Sequence, residues 1–220
     1  MAARTTITWP DGKVSGRIAG SSPTGILLAH GAGTNQDHPF LVALRDGLAG
    51  AGSTVMTFNY PYTERGAKRP DRTEILVRCH RAAADRLADR VDHLFLAGRS
   101  MGGRMATYLV AEGYPADGVI LYAFPLHPAG REDNLRIDHF ADVRVPLLFF
   151  QGTSDALSRM ELFDRHIRAL PNATVELLEG ASHSFRGKAW TEESMLDHLV
   201  TGTTRWIESI QSGTRSGGGP

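Results

Sequence analysis

Residues 94–103 read LFLAGRSMGG, an apolar run followed by a serine between glycines. The run Leu94–Ala97 has the length and composition of a strand that is buried on both faces. Residues 98–102 match Gly-x-Ser-x-Gly, and a helical pattern continues to residue 112. A sharp turn from strand to helix requires residues without side chains on both sides of the serine. The stretch therefore predicts that the hydroxyl of Ser100 is exposed at a strand end, and a glycine-rich turn with a surface serine is the alternative.

The same alternation of short apolar runs and amphipathic stretches extends over the rest of the chain. Further strands are predicted at residues 26–29, 55–58, 119–122, 147–150 and 175–178. Helices are predicted between them at residues 40–49, 72–90, 102–112, 159–170 and 191–210. An edge hairpin is predicted from the runs Thr5–Thr8 and Val14–Ile18. The pattern indicates an α/β protein whose central sheet has about seven or eight mostly parallel strands flanked by helices.

Length and composition favour one folded domain and exclude several classes of protein. The 220 residues predict a single domain over residues 1–210 and a flexible, Gly-rich tail over 211–220. The chain has 24 basic and 24 acidic residues, which argues against nucleic-acid binding through bulk charge. A single cysteine forms no internal disulfide, and no apolar run is long enough to span a membrane. The N-terminus lacks the apolar core of a secretion signal, so we expect a cytoplasmic protein.

A second glycine-containing segment, His30–Gly33, follows the first central strand. Small residues at this place let backbone N–H groups approach a negatively charged oxygen of a substrate. The two donors that such a geometry supplies are the N–H groups of Ala32 and Met101. A plain turn at the strand end explains the glycines equally well. A phosphate-binding loop is disfavoured because the Gly-Lys-Ser/Thr ending is missing.

An acid is found at the end of another predicted strand. Asp155 follows the run 147–150, so we expect it at the same edge of the sheet as Ser100. The alternative is that Asp155 caps the helix predicted at 159–170. Ser158 with Glu161 three residues later fits a capping box better and leaves Asp155 for another role.

A histidine follows the last predicted strand. His183 lies among small residues, and a lone loop histidine is more often a surface residue. However, Ser100, Asp155 and His183 follow three different strands in the order of a serine–aspartate–histidine triad. That order predicts a nucleophile, an orienting acid and a general base.

Other residues at strand ends are predicted to line a substrate pocket. These are His30, Gly33, Tyr60, Tyr62, Phe124 and His127. For the tyrosines, a rigid turn around Pro61 is the alternative. The basic stretch at residues 65–72 is predicted to be a solvated loop or to contact an anionic substrate tail. No His-Glu-x-x-His or paired-cysteine spacing occurs, so neither a metal nor another cofactor is expected.

Over residues 5–210 the chain resembles the serine α/β-hydrolases. The segments His30–Gly33 and Ser100–Gly103 are similar to those of the dienelactone hydrolase and monoacylglycerol lipase branches. A closer resemblance is to small predicted hydrolases, which include a testis-expressed α/β-hydrolase protein and a subunit of the nonspecific lethal histone acetyltransferase complex. The stretches that carry this resemblance are residues 98–102, 124–128, 146–155 and 183–184.

The resemblance implies an α/β-hydrolase fold with Ser100, Asp155 and His183 as the triad and Ala32 and Met101 as oxyanion donors. Lipases of this fold carry a helical lid after the sixth strand, whereas only residues 124–145 separate that strand from the next here. The resemblance therefore implies a minimal or absent lid and an open site.

These observations predict a serine hydrolase that acts on small or short-chain carboxylic esters through an acyl-enzyme. The same machinery would serve a thioesterase or a peptidase. An inactive scaffold protein on the same fold is the remaining alternative. The expected partner is a small-molecule ester, and the sequence does not itself indicate a protein partner.

Overall fold

Eight strands form one sheet in the computed structural model, which describes residues 2–216. The strands are β1 Ala3–Trp9, β2 Gly12–Ala19, β3 Thr24–Ala29, β4 Thr54–Phe58, β5 His93–Arg99, β6 Gly118–Tyr122, β7 Leu147–Gly152 and β8 Ala173–Leu178. Their order across the sheet is β1-β2-β4-β3-β5-β6-β7-β8. The hairpin β1–β2 joins β4 in antiparallel fashion, and all other neighbours are parallel. The predicted mostly parallel sheet is confirmed.

Helices cover both faces of the sheet. Within residues 2–216 they are α1 Pro39–Gly50, α2 Pro61–Glu64, α3 Thr73–Ala88, α4 Met101–Ala111, α5 Met160–His166 and α6 Glu192–Ser216. Side chains along a strand alternate between the two faces. In β3, Ile26 and Leu28 pack in the core beneath α1 and α6, whereas Leu27 and Ala29 pack beneath α3, α4 and α5. This double burial explains why the central strands are apolar at nearly every position.

The helix α5 is shorter than predicted and is capped differently. It ends at His166 instead of residue 170, and its N-cap residue is Arg159, with no side-chain capping bond. The predicted cap at Ser158 is wrong. The N–H of Ser158 donates to the carbonyl of Asp155 at 3.1 Å, so this serine belongs to the preceding turn. Its hydroxyl is buried without a hydrogen-bond partner among the described residues.

The last helix begins as predicted and continues further. Thr191 caps α6 by accepting a hydrogen bond from the N–H of Ser194 at 3.0 Å. The helix continues to Ser216, so the predicted tail does not begin at residue 211. Instead, Gln211 Nε2 donates a hydrogen bond of 2.8 Å to Thr24 Oγ1 and attaches this turn of α6 to β3. The rest of the predicted tail, residues 217–220, lies outside the described residues.

The connection between β6 and β7 contains no inserted helical domain. Residues 123–146 are all described, and their one regular element is a short 3₁₀ helix, Asp138–Asp142. This helix packs against α4. The predicted absence of a substantial lid is therefore confirmed at the level of the fold. No helix within residues 2–216 has the length and apolar character that crossing a bilayer requires.

The contact between β6 and α6 leads to a stability prediction. A Cβ atom added at Gly118 would lie 2.6 Å from Cη2 of Trp206. We expect Gly118→Ala to lower the free energy of unfolding by about 1–3 kcal/mol because this packed core has to shift. As a control, Gly50→Ala lies at the exposed end of α1, where an added Cβ meets no atom within 4 Å. Urea denaturation should show little change or a gain there, and equal losses in both variants would contradict the prediction.

Candidate active site

The turn at Ser100 joins β5 to α4 in a strained conformation. Ser100 has φ 52° and ψ −115°, a region that residues with a side chain rarely adopt. A Cβ at Gly98 would lie 2.3 Å from the carbonyl carbon of Gly102. A Cβ at Gly102 would lie 2.5 Å from the carbonyl oxygen of Ala29. Both glycines are therefore required by close backbone contacts, which hold the serine at the carboxyl edge of the sheet.

Three polar side chains form a continuous hydrogen-bonded series at this edge. Ser100 Oγ lies 2.9 Å from His183 Nε2, and His183 Nδ1 lies 2.8 Å from Asp155 Oδ2. The side chain of Asp155 is fully buried, whereas that of His183 is 24% exposed. The series thus runs from a buried carboxylate to a hydroxyl that can meet a ligand. Chemically, such an arrangement can draw a proton from the serine and stabilise the imidazolium that results.

Two further groups hold the carboxylate of Asp155. Gln151 Nε2 donates to Oδ2 at 2.8 Å, and the backbone N–H of Leu157 donates to Oδ1 at 2.8 Å. Gln151 is fully buried at the end of β7. Sequence reasoning did not assign it a role, although a lone amide at the end of an apolar strand is a usable signal. The two donors restrict the orientation of the Asp155 carboxylate.

The loop that carries His183 packs directly on the loop that carries Asp155. A Cβ at Gly152 would lie 2.2 Å from the carbonyl oxygen of Ala181, so only glycine fits there. The N–H of Ser154 donates to that same carbonyl at 3.0 Å. The distance between the acid and the base therefore depends on backbone contacts as well as on their own hydrogen bond.

The segment His30–Gly33 lies next to the serine. A Cβ at Gly31 would lie 3.6 Å from the Cβ of Ser100. Ala32 and Gly33 are exposed, and Gly33 has φ +70°. Met101 is the first residue of α4, so its N–H has no acceptor within the helix. The structure thus places the two predicted oxyanion donors on segments that flank Ser100.

Three of the predicted pocket residues form a buried network below the site instead of lining an open surface. The ring of His30 lies with Nδ1 2.8 Å from the carbonyl oxygen of Gly31, and its Nε2 accepts the N–H of Tyr60 at 3.2 Å. The hydroxyl of Tyr60 lies 2.9 Å from His80 Nδ1, and Tyr62 is also buried. These side chains face the core because α2 and α3 cover them. The prediction of a rigid turn at the tyrosines describes them better.

Two more predicted pocket residues are also internal. Phe124 packs against Phe140 and Phe149. His127 is buried, and its Nε2 accepts the N–H of Arg159 at 3.1 Å, which joins the β6–β7 connection to the start of α5. Of the six predicted lining residues, Gly33 is the one that the structure leaves exposed. Within residues 2–216, no three histidine, cysteine, aspartate or glutamate side chains are grouped as a metal site.

Comparison with known proteins identifies the architecture. The family model described as an alpha/beta hydrolase domain matches residues 22–211. A serine hydrolase without a lid from Xanthomonas campestris shares 24% identity with a TM-score of 0.74, covering 93% of this chain and 94% of that one. A dienelactone hydrolase from Anabaena variabilis shares 19% identity with a TM-score of 0.75, covering 95% and 97%. A cold-adapted esterase from an Arctic intertidal metagenomic library shares 18% identity with a TM-score of 0.68, covering 91% and 93%. At these identities the solved structures establish the fold.

The buried histidines below the site predict acid sensitivity. Burial lowers the pKa of His30 to about 4 and that of His80 to about 3, from an ordinary value of 6.5. The unfolded chain therefore binds more protons than the folded one below pH 6.5. We expect the free energy of unfolding to fall as the pH drops from about 6.5 toward 4. The measurement is urea denaturation at a series of pH values.

Two variants separate this effect from general destabilisation. His80→Asn removes one titrating group, so the chain takes up at most one proton fewer on unfolding. The slope of the free energy of unfolding against pH should therefore decrease by up to roughly 1.4 kcal/mol per pH unit. Tyr60→Phe removes the hydroxyl bonded to His80 but leaves both imidazoles. It should lower stability by about 1 kcal/mol at every pH and keep the slope. An unchanged slope in His80→Asn would show that this histidine does not titrate in the window.

Proposed function

Because the chain belongs to the alpha/beta hydrolase family, we propose that it is a serine hydrolase that cleaves small or short-chain carboxylic esters. The observation that carries the proposal is the hydrogen-bonded series from Asp155 through His183 to Ser100, which ends on a strained turn. A serine hydroxyl in this setting has a base to accept its proton and an acid to orient that base. A structural serine needs neither.

The proposed reaction has two halves. Ser100 Oγ attacks the acyl carbonyl while His183 Nε2 takes the hydroxyl proton, and His183 then returns that proton to the leaving alcohol. Asp155 keeps Nδ1 of the imidazole protonated and stabilises its cationic form. A water molecule activated by His183 then attacks the acyl-enzyme, and Ser100 is regenerated as the acid leaves.

The negative charge that develops on the carbonyl oxygen needs donors on the opposite side of the serine. We assign this role to the N–H groups of Ala32 and Met101. In support, both residues lie on segments that flank Ser100, and α4 begins at Met101, so the positive end of its dipole faces the site. A donor of this kind contributes about 3–4 kcal/mol to lowering the barrier.

The short β6–β7 connection supports the preference for small acyl groups. Its 3₁₀ helix packs against α4, and residues 123–146 hold no inserted helical domain that would cover a long acyl chain. The structurally similar protein from Xanthomonas campestris is likewise described as a serine hydrolase without a lid. Thioesters and peptides would use the same attack and differ in the leaving group.

The proposal is tested by covalent labelling. A fluorophosphonate should add once to the folded wild-type protein, and intact mass measures the adduct. Ser100→Ala should abolish it because the nucleophile is missing. Ser154→Ala is the control, since this exposed serine lies in the loop of Asp155 but is not bonded to His183. A folded wild-type protein that forms no adduct would contradict the proposal and favour a scaffold role.

The amide of Gln151 should influence the rate of labelling. Gln151→Met keeps the side-chain volume but removes the donor to Asp155 Oδ2, so the histidine loses part of its support. We expect labelling to slow about 10-fold, which corresponds to about 1.4 kcal/mol and lies at the low end for a hydrogen bond to a charged group. Gln36→Met is the matched control, because this buried amide donates to Ser15 Oγ instead. Equal rates in wild type and Gln151→Met would rule out the positioning role.

A further inference from the structure

An arginine without a counter-ion lies one helical turn after the nucleophile. The N–H of Arg104 donates to the carbonyl of Ser100 at 3.1 Å, so the two residues share one side of α4. The Arg104 guanidinium lies near Tyr108 on α4 and near the buried Tyr60, whose charges act on it. Arg104 is partly buried, and its Nε is fully covered with no hydrogen-bond partner among the described residues.

A second arginine is delivered to the same place by the β6–β7 connection. The N–H of Arg136 donates to the carbonyl of Leu126 at 2.8 Å, and its Nη1 reaches the carbonyl of Pro125 at 3.4 Å. Farther along, His139 Nε2 lies 2.8 Å from Thr107 Oγ1 on α4. The connection thus packs against α4 and brings Arg136 near enough to Arg104 for the two charges to interact.

The two positive charges repel each other and have no acidic partner. The ion pairs found within residues 2–216 include neither arginine. Burial lowers the pKa of Arg136, and the charge of Arg104 lowers it further. Burial and the same charge lower the pKa of His139 to about 4, although Asp138 opposes the shift, so this imidazole is neutral at pH 7. The net local charge comes from the two guanidinium groups.

Such a pair is unfavourable unless an anion completes it. Removing like charges from water without a counter-ion costs free energy, and the planar donors of guanidinium match carboxylate and phosphate oxygens. The whole chain has a formal net charge of zero, so the pair is a local feature and not the result of a basic composition. Both side chains remain partly exposed, so a ligand can reach them.

We propose that Arg104 and Arg136 form a binding site for an anionic group, a carboxylate or a phosphate, carried by the ester that Ser100 attacks. This inference rests on the proposed function for the identity of the ester, but anion binding itself does not require turnover. The site would select substrates with a negative charge near the scissile carbonyl and would position them over the turn at Ser100.

Binding is measured first, in the absence of chemistry. In a Ser100→Ala background, calorimetry with succinate and with inorganic phosphate should detect binding of at least one of them. Adding Arg104→Met or Arg136→Met should weaken that binding at least 10-fold. Arg131→Met is the matched control, because Arg131 lies on the same connection but is exposed. Whichever anion depends on the two arginines identifies the group. Binding of neither anion, or equal binding in all variants, would overturn the proposal.

Kinetics then connect the site to catalysis. For wild type, kcat/KM for the para-nitrophenyl monoester of succinate should exceed that for para-nitrophenyl butyrate, and Arg104→Met should lower this ratio at least 10-fold. Arg104→Lys keeps the charge but lacks the planar guanidinium, so its ratio should lie between those of wild type and Arg104→Met. Thermal unfolding serves as the control that each variant is folded. A ratio that does not change would overturn the role in selectivity. A wild-type protein that binds anions through the arginines but is not labelled by fluorophosphonate would refute the proposed function alone.

Discussion

The close contact between β5 and α4 at Ser100 is the constraint on which the arrangement of the site depends. The carbonyl carbon of Gly102 lies where a side chain at Gly98 would be, and Ala29 at the end of β3 excludes a side chain at Gly102. Three backbone segments therefore meet around one serine, which takes up the strain with a positive φ. A conformation of this kind costs about 1–3 kcal/mol and persists because the surrounding sheet determines it. The remaining polar groups of the site are placed relative to this turn.

The acid and the base reach the serine through the sheet topology. In a parallel sheet the carboxyl ends of neighbouring strands share one edge, so loops after β5, β7 and β8 converge although their residues are far apart in sequence. The close approach at Gly152 then joins the loops of Asp155 and His183. Strand order alone brings the three loops to one edge, and this explains why the order of three motifs in the sequence predicts that Ser100, Asp155 and His183 lie together.

The fold and the series were predictable because local patterns determine them, whereas the lining of the site was not. Apolar runs indicated the six parallel strands β3 to β8, and glycines indicated the turn at Ser100. A residue's position after a strand does not say which way its side chain points. Tyr60 and His30 therefore appeared to be pocket residues, although α2 and α3 bury them. The buried donor Gln151 was missed although it interrupts an apolar strand, because that interruption does not show that its amide would reach Asp155. The end of α6 was missed because Gln211 is held by Thr24, 187 residues away in sequence.

The short β6–β7 connection has a different role from the lid that its position suggests. A lid lies across the carboxyl edge and excludes water, whereas the 3₁₀ helix Asp138–Asp142 packs beside α4. A connection in that position can add side chains to the flank of the site. The pairing of His139 with Thr107 and the ring contact with Tyr108 at 4.2 Å hold it there. Because burial and the charge of Arg104 lower the pKa of His139 to about 4, this imidazole adds no charge near neutral pH, and the positive charge beside the site comes from the arginines. Substrate selection by such a site would depend on electrostatic complementarity more than on enclosure, and it would weaken as salt screens the partly exposed charges.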